Sequence, residues 1–306
     1  MAERWTRRAM LAAGAGAFAA PLFAQPAAPP PRSRLILLGT KGGPTPSRFR
    51  APASNLLIVD GVPLVIDCPD GVAGRLVAAG VALERLSRIF ITHHHSDHVA
   101  GLGALLSLAW GSGLRTPVEV YGPEPMARVL AAQLEADAVD VELRMHEEGR
   151  PALAPLVTPH EVRAGTILEA PGLRVRCAPV DHYTVPARAY RFDTPDRSFV
   201  FSGDTRPSDA LIALARGADI LVHEAMLLEA LGQIHDGNAP NLMDHLLRSH
   251  TTTEELGRVA AAAGVRTLVM SHLVPALPSI SDAQWTEGVR RHFHGEIIVG
   301  RDGMEI

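Results

Sequence analysis

Short apolar runs alternate with amphipathic stretches along the chain from about residue 31 onward. The apolar runs have the length and composition of strands, and the amphipathic stretches have helical spacing. Strands are predicted at 34–39, 55–60, 63–68, 88–92, 118–122, 173–180, 198–203, 219–224 and 266–272. Helices are predicted at 71–81, 98–110, 123–136, 251–265 and 281–293. The alternation predicts an α/β fold.

Local signals support several of these boundaries. Asp60–Gly61 between two apolar runs indicates a hairpin turn. The threonines at 251–253, followed by two glutamates, are typical of a helix start, and Gly264 is typical of a helix end. No repeat, linker or low-complexity segment interrupts the pattern after residue 31. We therefore predict one domain over residues 32–306.

The first 31 residues have a different pattern. A basic start containing Arg7 and Arg8 precedes an Ala- and Gly-rich apolar stretch and a proline-rich spacer. This order predicts an export signal of the twin-arginine type, cleaved near Ala24. A membrane anchor is the alternative, but the apolar stretch is short and rich in small residues. We expect a periplasmic or secreted protein with no stable membrane association after cleavage.

Composition narrows the choice of partner. The net charge is −4, and Lys41 is the only lysine in the chain. This balance argues against a broad basic surface for nucleic acid, although it allows one phosphate to bind in a pocket. The two cysteines, Cys68 and Cys177, could pair in an exported protein or remain buried thiols.

The densest chemical signal is THHHSDH at residues 92–98, directly after a predicted strand. Imidazoles and carboxylates are common ligands of zinc-like ions. His93 and His95 are expected to project the same way, with Asp97 and His98 reaching a neighbouring position and His94 pointing elsewhere. The alternative is a solvated polar turn.

Three later strands also end in a candidate ligand, which the polar-turn alternative does not explain. They stop at His182, Asp204 and His272. In α/β folds, sites gather at the carboxyl ends of strands. With the histidine-rich loop, these residues supply enough donors for two adjacent metal ions with positions left for water.

At this point the sequence resembles a known family. HHHSDH fits the HxHxDH signature of the metallo-β-lactamase superfamily, and the later ligands follow in that superfamily's order. The resemblance implies a four-layer αβ/βα sandwich with two divalent metal ions at one edge. It implies that His93, His95 and His182 hold one ion, that Asp97, His98 and His272 hold the other, and that Asp204 bridges both. Zinc is the default metal, and manganese or iron suits the same donors.

Other stretches resemble the ribonuclease Z and arylsulfatase branch. HEA at 223–225 is similar to the HEAT motif of that branch, and SHTTTEEL at 249–256 is similar to its HST motif. The resemblance implies that His250 donates a proton to the leaving group and that Glu224 orients it. Asp97 or Asp204 would orient a water whose pKa two metals lower.

Ribonuclease Z carries a long arm for gripping tRNA, and this chain has only a short turn at the corresponding place, around Pro195. Together with the predicted export and the negative charge, this favours an exported dinuclear hydrolase of phosphate or sulfate esters. The expected substrate is a small organic molecule, with no nucleic acid as partner. A homodimer is favoured only by the resemblance.

Three alternatives remain. A lactonase or β-lactamase would not need His250, a metal-holding binding protein would have no turnover, and a ribonuclease Z-type tRNA endonuclease ranks last. The segment 226–250 is expected to shape the pocket, with His235 and His245 near its entrance. Trp110 and Tyr183 are either aryl contacts or core residues.

Overall fold

A computed structural model describes residues 31–234 and 239–306. The predicted export signal, apart from Pro31, and His235 lie outside the described residues. Two mixed sheets form the centre of the fold. Their strands are β1 (Ser33–Gly39), β2 (Ser54–Val59), β3 (Val62–Ile66), β4 (Arg88–Phe90), β5 (Val118–Gly122), β6 (Val157–Glu161), β7 (Gly165–Ala170), β8 (Leu173–His182), β9 (Val185–Asp193), β10 (Ser198–Phe201), β11 (Ile220–Met226), β12 (Thr267–Val274) and β13 (Glu296–Val299).

The helices lie between the strands. They are α1 (Val72–Ala78), α2 (Ser96–Val99), α3 (Leu102–Gly111), α4 (Met126–Ala136), α5 (Ala138–Glu148), α6 (Asp209–Ala215), α7 (Leu242–Ser249), α8 (Thr253–Ala263) and α9 (Asp282–Arg290). No helix in the described residues is long and apolar enough to cross a membrane.

The strands pair in two continuous sheets. The first has the order β1-β2-β3-β4-β5-β6, and the second has the order β13-β12-β11-β10-β9-β8-β7. In each sheet an antiparallel part of hairpins adjoins a parallel part in which helical crossovers connect the strands. The carboxyl ends of β4, β10 and β12 therefore become available for ligands, as the sequence pattern predicted.

Three apolar cores give the fold its layers. One lies between the sheets and includes Leu35, Phe90 and Phe192. A second packs the first sheet against helices around Trp110, and a third packs the other sheet against helices around Trp285. Burial on both faces of each sheet gives the order helices, sheet, sheet, helices. The predicted four-layer α/β sandwich is thus confirmed.

The apolar pattern found most of the central strands. Strands β6, β7 and β13 and helices α5 and α6 were not predicted; most of them are short, and β7 is largely exposed. The inner strand β9 was also absent from the predicted strands, because Pro186, Arg188 and Arg191 interrupt its apolar pattern. Cys68 and Cys177, left undecided by the sequence, are both buried free thiols. Trp110 is a core residue, with its indole N–H donating to the carbonyl of Pro151.

Candidate metal centre

Two groups of potential ligands converge where the two sheets meet. The first group is His93, His95 and His182, and the second is Asp97, His98 and His272; within each, the ligand atoms lie within 4.8 Å of one another. The four ligands from the histidine-rich loop follow β4 of one sheet. In the other sheet, His182 ends β8 and His272 lies in β12. The fold therefore brings together the residues that the sequence had separated by up to 179 positions (His93 to His272).

Specific ring nitrogens meet in the first group. His93 Nε2 lies 3.1 Å from His95 Nδ1, and His182 Nε2 lies 3.2 Å from the same atom. Burial lowers the pKa of His95 to about 4 and lowers the pKa of His93 well below its usual value. Both rings are therefore neutral near pH 7, which is the form that donates a lone pair to a metal.

Asp204 lies between the two groups. Its Oδ2 is 3.7 Å from His93 Nε2, 3.4 Å from His98 Nε2 and 3.1 Å from His272 Nε2. Burial opposes its charge, but the neighbouring His272 and His98 hold the pKa of Asp204 well below its usual value. A carboxylate in this place has the position expected of a bridge between two ions.

Neighbouring acceptors fix the second nitrogen of three ligand histidines. His98 Nδ1 lies 2.8 Å from Asp67, and His182 Nδ1 lies 3.0 Å from the carbonyl of Ser249. The Thr92 hydroxyl donates to Asp67, so its oxygen can accept from His93 Nδ1 at 3.1 Å. These contacts select the tautomers whose Nε2 atoms face the centre.

The donor set fits divalent metal ions. Five imidazoles and two carboxylates, mostly buried, are nitrogen and oxygen ligands of the kind that zinc, manganese and iron accept. His98 Nε2 and Asp204 Oδ1 are buried and have no hydrogen-bond partner among the described residues, which is costly unless an ion occupies the space they face. His94 turns away and contacts the carbonyl of Pro123.

Sequence reasoning missed Asp67. Asp67 ends the apolar run PLVID, just as four other apolar strands end in candidate ligands. Its position at a strand end could therefore have marked it as part of the site. Its backbone has φ of 65°, a left-handed conformation that Asp tolerates better than most residues. Its two oxygens accept from Thr92 N, Thr92 Oγ1 and His98 Nδ1.

A β-bulge directs His272 into the centre. In the β11–β12 pairing, Glu224 is opposite Ser271 and Ala225 is opposite Leu273, which leaves His272 as the extra residue. Its φ is 42°, an unfavourable conformation that the surrounding structure must enforce.

The predicted acid, His250, and the carboxylate predicted to orient it, Glu224, also meet here. His250 Nδ1 lies 3.0 Å from Glu224 Oε1, and the same oxygen accepts from the backbone N–H of Thr205. Burial lowers the pKa of His250, but the charge and hydrogen bond of Glu224, together with the charges of Asp204 and Asp97, outweigh burial and raise it to about 9. His250 is therefore a protonated acid at neutral pH, and its ring lies 5.6 Å from that of His272.

A cavity of about 750 Å³ opens above these residues. His245 and other residues of α7 line it, so the 226–250 segment does shape the pocket in its described part. Tyr183, predicted either as an aryl contact or as a core residue, lies on the surface next to His182.

Comparison with known proteins decides the family. The family model for the β-lactamase superfamily domain matches residues 64–273. The chain belongs to the metallo-β-lactamase superfamily. As a member of that superfamily it has a hydrolase fold and a metal-binding site.

Curated relatives of this metallo-β-lactamase superfamily member are named ribonuclease Z. The protein from Mycobacterium bovis is 36% identical over 272 residues, covering 88% of this chain and 95% of the relative. The Mycobacterium marinum protein is 35% identical, covering 88% and 96% respectively.

Solved structures share the fold at lower identity. Human tRNase Z, short form, matches with a TM-score of 0.64 and 20% identity, covering 89% of this chain and 98% of the other. The metallo-β-lactamase fold protein YhfI from Bacillus subtilis has a TM-score of 0.66 and 20% identity, covering 90% and 98%.

These relatives overturn the predicted substrate. The prediction of a small-molecule phosphate or sulfate ester, with a lactonase or β-lactamase as alternative and ribonuclease Z ranked last, is wrong; so is the prediction of no nucleic-acid partner. β9 and β10 are indeed joined by the short turn Thr194–Arg197. The 36% identity over 95% of the Mycobacterium bovis relative, however, outweighs the short turn as evidence on the substrate. The net charge of −4 also contributed to the wrong prediction about nucleic acid, because the charge of the whole chain does not describe the charge around one cavity.

Proposed function

We propose that this protein is a ribonuclease Z-type endoribonuclease that hydrolyses phosphodiester bonds in RNA at a dinuclear metal centre. The observation that carries the proposal is the 35–36% identity to proteins named ribonuclease Z over 88% of the chain. The site geometry supports it, because a buried acid faces a set of metal ligands arranged for two ions.

In this proposal the residues have separate tasks. The first triad, His93, His95 and His182, would hold one ion, Asp97, His98 and His272 would hold the second, and Asp204 would lie between them. When bound, two divalent ions, with zinc as the default, activate water and stabilise negative charge on the phosphoryl group.

The protein's own groups handle the protons. Asp97, with its pKa held low by His98 and His272 against the effect of burial, accepts a hydrogen bond from the attacking water and orients it. As the P–O bond to the leaving group breaks, His250 gives its proton to the departing oxygen. Glu224 keeps His250 charged until that step and fixes its ring through Nδ1, so the opposite nitrogen is the donor.

Cleavage assays test the function directly. The purified protein, loaded with zinc or with manganese, is given a precursor tRNA transcript and, separately, bis(4-nitrophenyl) phosphate as a minimal phosphodiester. Asp204→Asn should lose both activities, whereas Asp60→Asn, in the exposed β2–β3 turn, should keep them. A protein that hydrolyses the diester but leaves every RNA uncut would refute the ribonuclease proposal.

Export remains a separate proposal for residues 1–31. Replacing Arg7 and Arg8 by lysine should retain a fused reporter in the cytoplasm, as judged by cell fractionation. Fractionation also decides which RNA reaches the enzyme, because export removes a protein from the compartment where RNA is made. A reporter that stays cytoplasmic with the intact segment would contradict the export proposal.

A further inference from the structure

The wall of the cavity above the metal centre is apolar and basic rather than acidic. Its floor holds Asp97, Asp204 and His250, and its wall includes the loop 41–49 and residues 274–278. The volume of about 750 Å³ is in the range of cavities that take ligands the size of a nucleotide or somewhat larger. A chain of nucleotides crossing the centre would therefore touch the rim of this cavity.

An arginine and an aromatic residue lie next to each other on that rim. The Arg48 guanidinium carbon is 4.6 Å from the centre of the Phe49 ring, and both residues line the cavity. Phe49 is 53% exposed, which is unusual for a large apolar side chain. Arg48 forms no ion pair with any residue in the described part of the chain, so its charge is available to an anion.

A second pair of the same kind lies beside the first metal-ligand group. Tyr183 follows His182 directly, is 54% exposed and has φ of 54° in the β8–β9 turn. The guanidinium carbon of Arg248 on α7 is 5.8 Å from its ring centre. Arg248 lies one helical turn beyond His245, whose ring is 6.1 Å from that of His182.

Neither pair has an evident role in folding. A bulky residue with positive φ is conformationally unfavourable, and an exposed tyrosine ring gains little from burial. Arg248 also contacts Asp244 at 2.8 Å, but both side chains are more than half exposed. Exposed ion pairs of this kind contribute little, so a phosphate can replace the carboxylate at small cost.

We propose that these two arginine–aromatic pairs bind single-stranded nucleotides that flank the scissile phosphodiester. Bases stack on the rings of Phe49 and Tyr183, and Arg48 and Arg248 contact the neighbouring phosphates. This inference rests on the proposed ribonuclease function. It assigns RNA binding to these two pairs in a chain whose β9–β10 turn is short.

An exposed aromatic ring next to an arginine should favour single-stranded over double-stranded nucleic acid. An aromatic ring stacks on any base whose face is free, and the bases of a duplex already stack on each other. Stacking tolerates every base, so the site should show weak sequence preference. The arginines add an electrostatic contribution that salt screens.

Binding is measured with a fluorescent single-stranded oligonucleotide whose phosphorothioate backbone resists hydrolysis. Phe49→Ala and Tyr183→Ala should each weaken binding by about 5- to 150-fold, the range that loss of one stacked base produces. Phe49→Trp and Tyr183→Phe should restore it. Leu143→Ala, a change at an equally exposed apolar residue on α5, serves as the control and should bind as the unaltered protein does.

Salt dependence separates the arginines from the rings. Arg48→Ala and Arg248→Ala should each reduce the slope of log affinity against log salt by about 0.7, the value for one phosphate contact with a single strand. Arg266→Ala is the matched control, because Arg266 precedes β12 and so lies at the sheet edge opposite the metal centre. A duplex of the same sequence should bind more weakly than the single strand.

Cleavage assays with the same variants distinguish the two proposals. If the protein cuts RNA and the alanine variants keep both their affinity and the KM for RNA, the binding site is refuted and the nuclease stands. If the single strand binds through Phe49 and Tyr183 but no RNA is cut, the nuclease is refuted and the binding site stands. If neither occurs, both fail. Hydrolysis of bis(4-nitrophenyl) phosphate should stay unchanged in the control variants Leu143→Ala and Arg266→Ala, which lie outside both the metal centre and the proposed binding site.

Discussion

The ring orientations of the ligand histidines are set by the groups that contact their outer nitrogens. Asp67 is the clearest case, since one carboxylate holds His98 through Nδ1 and the Thr92 hydroxyl that in turn faces His93. A carboxylate so placed fixes the orientation of two ligands and raises their basicity. Burial opposes protonation of His98, but Asp204, Asp67 and Asp97 together raise its pKa well above the usual value.

Replacing Asp67 by asparagine should weaken metal binding while preserving the fold. Asparagine has the same shape and also tolerates the left-handed backbone at this position, but its NH₂ group must face a donor. Affinity for zinc should fall by about 10- to 100-fold, measured by competition with a chromophoric chelator. Asp60→Asn, at another positive-φ aspartate on the surface, is the control. Equal zinc affinity in the two variants would contradict the role given to Asp67.

Glu224→Gln should shift the pH dependence of hydrolysis. Glu224, with smaller contributions from Asp204 and Asp97, raises the pKa of His250 to about 9, so the acid form is present below that pH and is lost as pH rises through it. Without the Glu224 carboxylate, only the smaller contributions of Asp204 and Asp97 oppose the effect of burial, so the pKa of His250 falls. The basic limb of kcat should therefore move to lower pH, and His250→Ala should cost about 10²- to 10⁴-fold in kcat near neutral pH.

Kinetics of precursor tRNA cleavage from pH 5 to pH 10 provide the measurement, because the alkoxide leaving group of RNA needs a proton whereas 4-nitrophenolate does not. Glu229→Gln, at an exposed position in the 3₁₀ turn Leu228–Gln233, should leave the profile unchanged. If the basic limb of the Glu224→Gln enzyme coincides with that of the unaltered enzyme, Glu224 does not control the protonation of His250.

At the scale of elements, local backbone features position His250, the proposed acid. His250 lies between the end of α7 and the start of α8, where Thr252 caps α8. The Thr252 side chain accepts from the backbone N–H of Glu255, and the Glu255 side chain accepts from the backbone N–H of Thr252. This capping box fixes the first turn of α8 directly after the acid.

A matched pair of cap substitutions tests that link. Ser281 forms the same kind of capping box at the start of α9, away from the centre. Thr252→Ala and Ser281→Ala should each lower the free energy of unfolding by about 1 kcal/mol in urea titrations. Only Thr252→Ala should also reduce kcat, because the backbone two residues from His250 loses its anchor. Equal kcat in both variants would show that the cap only stabilises its helix.

More of the site could be predicted from the sequence at the scale of strands than at the scale of single side-chain contacts. Strand ends at His182, Asp204 and His272 could be recognised because an apolar run that stops at a polar residue is visible in one dimension. The bulge at His272 and the outer contacts of His93 and His98 could not, because they depend on which strands become neighbours. The proposed nucleotide contacts could not be predicted for a related reason: Arg48 and Phe49 are sequence neighbours, but only the fold places them on the cavity rim and brings Arg248 to Tyr183.

For the whole molecule, the metal centre connects two sheets. The loop after β4 supplies His93, His95, Asp97 and His98 from one sheet, and β8, the β10 end and β12 supply the rest from the other. Ions that bind only the folded arrangement stabilise it by mass action, about 2.7 kcal/mol at a hundredfold excess over Kd. Each sheet and the helices that cover it form one half of the molecule. Because both sheets donate ligands, metal binding should stabilise both halves.

Zinc should therefore raise the unfolding temperature of both halves together by about 5–10 °C, and chelation should reverse the change. Trp110 reports on the helices over the first sheet and Trp285 on those over the second, since both are buried there. Single-tryptophan proteins, made with Trp5→Phe and either Trp110→Phe or Trp285→Phe, give each half its own fluorescence melting curve. His182→Ala should abolish the zinc shift at both tryptophans, whereas His146→Ala, at an exposed histidine of α5, should not. A shift confined to one tryptophan would mean that the ions stabilise one sheet alone and do not join the two.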